Sequence, residues 1–268
     1  MVSGLLSIKE FFQYNASVVH VSLTRVRGSA PRDTGTQMFV TANGLWGTVG
    51  GGQLEHIIIS KARRMLEGNV LNDTLDVPLG PEIGQCCGGR VEVSLSQMSG
   101  RDKDSILMGM QKEDDALPWV YIMGAGHVGR AIANLMQHMP VHCVIIDTRE
   151  EELALCSADV EKRLSAIPES DIKSAPAGSA FVVLTHDHAL DFLLSAAALE
   201  TGTASYVGLI GSATKRAKFH QYSKSNCDDL PVDQLVCPIG SQGSKDKRPE
   251  VIAAFVVAEV MTKLTVTT

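Results

Sequence analysis

The sequence lacks any long uncharged apolar run, since none of its apolar stretches reaches the roughly 20 residues that span a bilayer. It also lacks an excess of positive charge: 24 Lys and Arg stand against 30 Asp and Glu, which gives a formal net charge of −6. A protein that binds nucleic acid needs a concentrated basic face. We therefore expect neither a membrane span nor a nucleic-acid partner.

Cysteine is too scarce for a disulfide framework, because the 268 residues contain six cysteines, two of them adjacent. Residues 1–10 lack the basic-then-apolar order of a signal peptide. These observations predict reduced thiols and a cytoplasmic protein. The hydrolase motifs G-x-S-x-G and H-E-x-x-H are absent as well, so we assign no catalytic residue.

The most informative stretch that is present begins at Trp119. An apolar, β-rich run over Trp119–Met123 predicts a buried strand, and the glycine-rich turn Gly124–Gly129 follows at once. An apolar stripe at helical spacing then predicts a helix, which Pro140 stops. A second apolar strand ends at Asp147. This order of strand, G-x-G-x-x-G turn, helix, strand and acid is typical of a Rossmann-like half.

Each residue of this motif has a physical reason. Gly124 permits a tight turn, Gly126 lets a pyrophosphate approach the backbone, and Gly129 lets the helix pack closely on the strand. The helix N-terminus behind His127 offers free N–H groups to an anion, and Asp147 has the chemistry to accept bonds from a ribose hydroxyl. A fold does not determine its ligand, so NAD is one candidate.

Buried strands alternate with helices from Trp119 onward, which predicts a parallel sheet. The fold class is therefore α/β, with a mixed α/β N-terminal domain over residues 1–100 and a Rossmann-like doubly wound domain over residues 118–268. The charged, weakly patterned residues 101–117 are expected to form a linker, with room for a short helix inside it.

Ligands of parallel sheets bind beyond the carboxyl ends of the strands, where further motifs of this sequence are expected to converge. One is His186-Asp187-His188, for which a metal site and plain polar contacts are both open, since two histidines are not a full ligand set. Another is Gly211-Ser212, followed by a helix with Lys215 in its first turn. A bound anion would offset the unfavourable position of such cations, although a solvated helix face explains them equally well.

The N-terminal half contains a second glycine-rich turn, Gly50-Gly51-Gly52, in front of a predicted helix. It is either a second anion cradle or a tight strand-to-helix corner that needs small residues. The pair Cys86-Cys87 precedes Gly88-Gly89, where an accessible thiol and a buried structural cysteine are both open.

Taken in order, these motifs resemble the XdhC/CoxI family of xanthine dehydrogenase accessory proteins over roughly Val18 to Lys263. The matching segments are Arg27–Arg32 with Gly35 and Met38, Gly47–Gly52 through Glu55, Cys87–Gly89, Gly124–Gly129, Thr185–His188, Gly208–Ser212, Cys237–Gly240, and Pro249 with Glu250. The resemblance implies a non-enzymatic chaperone that binds and protects molybdenum cofactor, supports its sulfuration and inserts it into a xanthine dehydrogenase-type molybdoenzyme. It also implies contact with a cysteine desulfurase.

Residues and resemblance together give one set of expected cofactor-binding positions, in which Cys87 is also the expected soft metal ligand. The set is Arg32, Gly50, Gly51, Gly52, Cys87, Gly124, Gly126, His127, Gly129, Asp147, His186, Gly211, Ser212 and Lys215. The alternative is an NAD(P)-dependent oxidoreductase, for which Asp147 favours NAD while the nearby Arg149 blurs the preference. The oligomeric state is not determined by the sequence, and a homodimer is left open.

Overall fold

The structure, a computed structural model, describes residues 2–80, 88–227 and 230–265. The chain divides into two compact units, an N-terminal unit, Val2–Asp115, and a C-terminal unit, Ala116–Thr268. None of the helices in the described ranges combines the length and the apolar character that crossing a membrane requires.

The N-terminal unit is built on a five-stranded antiparallel sheet with the strand order β3-β2-β1-β5-β4. Its strands are β1 (Val19–Arg27), β2 (Gln37–Val40), β3 (Leu45–Gly47), β4 (Asn72–Pro78) and β5 (Arg90–Gln97), and its helices are α1 (Val2–Tyr14), α2 (Gly52–Glu67) and α3 (Gly100–Asp115).

Successive side chains of β2 enter different cores, because a strand points alternate residues to opposite faces. Met38 and Val40 pack in the cluster that contains the buried stripe of α2, whereas Phe39 packs with Phe12 and Ile8 of α1. Gly68 ends α2, as its position in the sequence predicts.

The structure differs from the predicted linker over residues 101–117, because most of these residues form α3. The partly buried side chains of Ile106, Leu107 and Met110 pack against the cluster that includes Leu5 and Phe12. This helix therefore belongs to the N-terminal unit.

The C-terminal unit is built on a six-stranded parallel sheet with the order β11-β10-β9-β6-β7-β8. Its strands are β6 (Trp119–Met123), β7 (His142–Asp147), β8 (Glu161–Leu164), β9 (Ala180–Val183), β10 (Tyr206–Leu209) and β11 (Leu235–Val236). Its helices are α4 (His127–Met136), α5 (Glu150–Ala154), α6 (Pro168–Ser174), α7 (His188–Glu200), α8 (Ala213–Asn226) and α9 (Pro249–Thr265).

Helices cover both faces of this sheet. Residues of α4 and α9 pack in one apolar cluster, and residues of α6, α7 and α8 pack in the other. The strand order runs outward from β6 to β8 on one side and from β9 to β11 on the other, so its direction reverses between β6 and β9. Ligands of doubly wound folds bind at such a reversal. The predicted fold class, a mixed α/β protein with a Rossmann-like parallel sheet, is confirmed.

Candidate functional site

Three glycine-rich segments meet in the N-terminal unit. Ser29 forms a β-bridge with Gly88, and a side chain at Gly28 would come within 3.2 Å of the backbone of Gly89. A side chain at Gly50 would come within 2.9 Å of Pro31 in the same loop as Gly28. These glycines therefore allow the three segments to approach one another closely.

The turn before α2 needs glycine for conformational reasons. Gly50, Gly51 and Gly52 have φ values of +125°, +75° and +62°, which side-chain-bearing residues rarely adopt. The exposed side chain of Arg32 lies beside this turn, since its Cγ would be 3.8 Å from a Cβ at Gly50. The structure thus brings together Arg32 and the three glycines of the predicted N-terminal cradle.

The same turn already has an internal anion. The Glu55 carboxylate accepts hydrogen bonds from the hydroxyl of Thr48 at 2.9 Å and from the backbone N–H of Gly51 at 2.6 Å. An acidic side chain in the first turn also complements the positive end of α2. A ligand anion here would have to compete with the Glu55 carboxylate. The sequence pattern did not predict this internal contact.

Cys87, the predicted thiol ligand, lies outside the described residues, as does Cys86. The residue that follows Cys87 is described: the N–H of Gly88 donates to the carbonyl of Leu79 at 2.8 Å, and Gly88 pairs with Ser29. The role of Cys87 stays a prediction.

In the C-terminal unit, the parallel strands bring the predicted Rossmann residues to one edge of the sheet. A narrow pocket there is lined by Gly124 after β6, Asp147 at the end of β7, and Thr185 and His186 after β9. These residues come from three segments that are distant in sequence and meet because their strands are neighbours in the sheet.

The three motif glycines have different structural reasons. Gly124 has a φ of +128°, and a side chain there would come within 2.5 Å of the carbonyl oxygen of Leu184. A side chain at Gly129 would collide with the carbonyl oxygen of Gly124. A Cβ at Gly126 would meet no atom within 4 Å, so open space lies in front of Gly126.

The helices that follow β6, β9 and β10 differ in how their N-termini are capped. The Asp187 carboxylate accepts from two backbone N–H groups at the start of α7, and the Ser212 hydroxyl accepts from the backbone N–H of Lys215 in α8. By contrast, Gly126 caps α4 without a side-chain hydrogen bond. Since the first N–H groups of a helix have no partners within it, α4 is the helix of these three that keeps them available to an anion.

Asp147 is buried and its carboxylate is fully engaged. It accepts from the backbone N–H groups of Ala125 and Arg149 at 2.7 and 3.0 Å, and from the Arg149 guanidinium at 3.0 and 3.1 Å. Burial alone would raise the pKa of this carboxyl, but the hydrogen bonds outweigh burial and the pKa is lowered. Asp147 therefore holds the glycine turn in place by accepting from the N–H of Ala125, and it stays ionised.

Lys215, predicted as an anion-binding cation, has a partner within the protein. Its ammonium group pairs with the fully buried carboxylate of Asp191. Gly211 permits this pairing, because a side chain there would come within 2.6 Å of Cδ of Lys215. With Ser212 serving as the cap of α8, the structure accounts for Gly211, Ser212 and Lys215 by folding alone, and their cofactor-binding role stays a prediction.

His186 and His188 are exposed beside the cap residue Asp187. Within the described residues there is no group of three His, Cys, Asp or Glu side chains that could hold a metal ion. His186 lines the pocket at Gly124, which agrees with the alternative of polar contacts.

Sequence reasoning missed a second pocket of about 320 Å³ beside the start of α4, in which His127 was the one predicted residue. Arg130, Asn134 and Glu250 contribute polar groups to it. Arg130 also donates to the carbonyl of Ala125 and pairs with Glu152 at 2.6 Å. The position of Arg130 directly after the glycine turn is the sequence feature that could have indicated its place in this pocket.

Comparison with known proteins identifies relatives of both halves of the chain. Residues 120–260 match the family described as the XdhC Rossmann domain, and residues 13–73 match the XdhC and CoxI family. An uncharacterized Escherichia coli protein, YqeB, is 25% identical over 93% of this chain. The match covers 44% of YqeB, so the chain spans less than half the length of that relative.

A solved structure shares the fold. The crystal structure of a protein described as a xanthine dehydrogenase from Bacillus halodurans superposes with a TM-score of 0.79 at 17% identity, over 99% of this chain and 96% of that one.

Proposed function

Since the chain belongs to the XdhC and CoxI family, we propose that it binds molybdenum cofactor, protects it, supports its sulfuration and inserts it into a xanthine dehydrogenase-type enzyme. Family membership supports an accessory role towards xanthine dehydrogenase, in which the chain itself is not the catalyst. The cofactor supplies the molybdenum centre of the client enzyme. The task of this chain is to hold the cofactor and exclude water until transfer.

The observation that carries the proposal is the free N-terminus of α4. Its amides lack a side-chain cap, and a Cβ at Gly126 would project into open space. Such a helix end suits the phosphate of a pterin cofactor, because N–H groups and the helix dipole both favour a negative charge. Gly126 and His127 would hold that phosphate.

Thiol chemistry is assigned to Cys87 in the family's Cys-Gly-Gly segment, and burial makes three of the four described cysteines poorly suited to it. Cys143, Cys156 and Cys237 are buried, whereas Cys227 is partly exposed. Burial raises the pKa of the Cys143 thiol to about 12 and also raises the pKa of Cys237. Since the thiolate is the soft ligand, a cysteine that ionises readily is required for molybdenum or sulfur chemistry.

We further propose two partners, a xanthine dehydrogenase-type molybdoenzyme that receives the cofactor and a cysteine desulfurase that supplies its terminal sulfur. The direct test is to incubate the purified chain with molybdenum cofactor, desalt the mixture, and measure molybdenum and oxidised-pterin fluorescence in the protein fraction. The loaded protein is then mixed with cofactor-free xanthine dehydrogenase, whose activity should appear. If neither molybdenum nor pterin elutes with the protein, the proposal is wrong.

Replacing Gly126 by valine should weaken cofactor retention about tenfold or more while leaving the fold intact. The new side chain fills the space in front of α4, and the backbone angles of Gly126 (φ −65°, ψ −178°) suit any residue. The matched control is Gly100→Val at the start of α3, where a Cβ also meets no atom within 4 Å. Equal retention by Gly126→Val and the parent would show that the cofactor binds elsewhere.

Cys87→Ser should fold normally yet retain much less molybdenum than the parent, because a hydroxyl is a poor replacement for a soft thiolate. The adjacent Cys86→Ser is the control, with a milder effect expected. Molybdenum per protein after desalting and the thermal midpoint are measured for both variants. Parent-like retention in Cys87→Ser would rule out its role as ligand, and loss of folding in both would indicate core cysteines.

A further inference from the structure

The acid of the Rossmann motif has no acceptor capacity left in this structure. An ionised carboxylate offers about four lone-pair positions. On Asp147, Oδ1 accepts from the N–H and Nε of Arg149, and Oδ2 accepts from the N–H of Ala125 and Nη2 of Arg149. All four positions are therefore used within the protein.

In dinucleotide-binding Rossmann domains, the residue at this position accepts hydrogen bonds from the ribose hydroxyls of NAD. A ribose that bound here would have to displace the guanidinium of Arg149 from Asp147, which is 3% exposed in its side chain. It would leave the Arg149 charge without its closest carboxylate, since the remaining partner, Glu152, is 3.8 Å away. Displacement is costly because both the fork-shaped pairing and the burial favour the internal contact.

A second ion pair fixes Arg149 further. Glu152 also pairs with Arg130, which donates to the carbonyl of Ala125 inside the glycine turn. The four charged side chains of Asp147, Arg149, Glu152 and Arg130 therefore form a neutral chain around the turn. Rotation of Arg149 away from Asp147 would disturb this whole chain.

We propose that Arg149 is a specificity-determining residue, whose guanidinium occupies the carboxylate of Asp147 and excludes the ribose diol of NAD(H) from the C-terminal glycine turn. The open space in front of Gly126 and the uncapped start of α4 are left accessible, so the unit disfavours a nucleoside diol while it leaves room for a phosphate group. This inference concerns nucleotide discrimination and stands independently of the molybdenum cofactor, so cofactor-loading results do not decide it.

The test is a titration with NADH followed by nicotinamide fluorescence. The parent chain should show no saturable binding, whereas Arg149→Met, which keeps the apolar stem and removes every donor, should bind NADH saturably, with a dissociation constant about tenfold or more below the highest NADH concentration at which the parent stays unsaturated. Arg149→Met combined with Asp147→Asn should lose the gain, because the amide replaces one of the two acceptor oxygens of the carboxylate with an NH₂ donor and carries no charge.

The matched control is Arg163→Met. Arg163 lies on β8, has a similar exposure, and pairs with Glu161 of the same strand and Asp171 of α6, so its replacement should leave NADH binding unchanged. Arg149→Gln serves as a second variant should Arg149→Met fail to fold by circular dichroism. Saturable micromolar binding of NADH to the parent would overturn the proposal. So would a folded Arg149 variant with no gain in affinity.

Discussion

Replacing Lys215 by methionine is expected to lower the free energy of unfolding of the C-terminal unit by about 3–5 kcal/mol. The Asp191 carboxylate is 0% exposed, and Lys215 supplies its only ion pair in the described part of the chain. The backbone N–H and the hydroxyl of Thr185 also donate to Asp191, each at 2.8 Å, but neither carries a charge. Removing the ammonium group leaves a buried charge uncompensated.

The measurement is urea unfolding in a Trp46→Phe background, where the remaining tryptophan, Trp119, lies in β6 of the C-terminal unit. Lys218→Met on the exposed face of the same helix is the control and should change stability little. Adding Asp191→Asn to Lys215→Met should restore part of the loss, since the buried charge is then removed. A Lys215→Met protein as stable as its control would mean that this pair contributes no net stability.

Two glycine-to-alanine substitutions in helices are expected to have opposite signs. Gly129→Ala should destabilise the C-terminal unit by about 2–3 kcal/mol, because the new methyl group collides with the carbonyl of Gly124 and lies 2.9 Å from Cδ1 of Leu184. Gly109→Ala, inside α3, meets no atom within 4 Å and should stabilise its helix by about 0.5–1 kcal/mol.

Unfolding of both variants is followed by amide hydrogen exchange, which reports on α4 and α3 separately. An unchanged stability of α4 in Gly129→Ala would show that α4 does not pack closely on the glycine turn. Gly126→Val and Gly129→Ala together separate two roles of glycine, since Gly126→Val tests access to a ligand whereas Gly129→Ala tests packing.

The fold of the C-terminal unit was predictable because its central strands are buried on both faces. A continuous apolar run such as Trp119–Met123 is distinctive. The glycine turn after it indicates where this strand ends, and Asp147 indicates where the next strand ends. The edge strand β8 was missed. Its residues Glu161–Leu164 are mostly exposed and charged, and their place in the sheet comes from backbone pairing with β7, which leaves no apolar pattern.

The full length of the helix α3 within the expected linker was missed for a different reason. It is rich in charge, and none of its residues is fully buried. Its apolar side chains are covered in part by α1, which is distant in sequence, so a local pattern carries little information about them. Local propensity is a weak guide where a distant partner provides the packing.

Site residues were harder to predict than the fold, because residue type does not reveal which partner a side chain has. Lys215 and Arg149 are cations near glycine turns, yet both are paired with buried carboxylates, Asp191 and Asp147. Gly126 could be recognised from its motif, and the open space in front of it was visible only in three dimensions. The binding roles of these residues stay predictions.

The bond from the Gly51 N–H to Glu55 gives the N-terminal unit a spectroscopic handle of its own. A 2.6 Å hydrogen bond to a carboxylate moves an amide proton resonance downfield, so Gly51 should stand apart from the other glycines in a nitrogen–proton correlation spectrum. A ligand anion that takes over this amide changes that resonance, whereas a ligand bound only at the C-terminal glycine turn leaves it in place. One signal in the unliganded protein can thus assign an unknown ligand to one unit or the other.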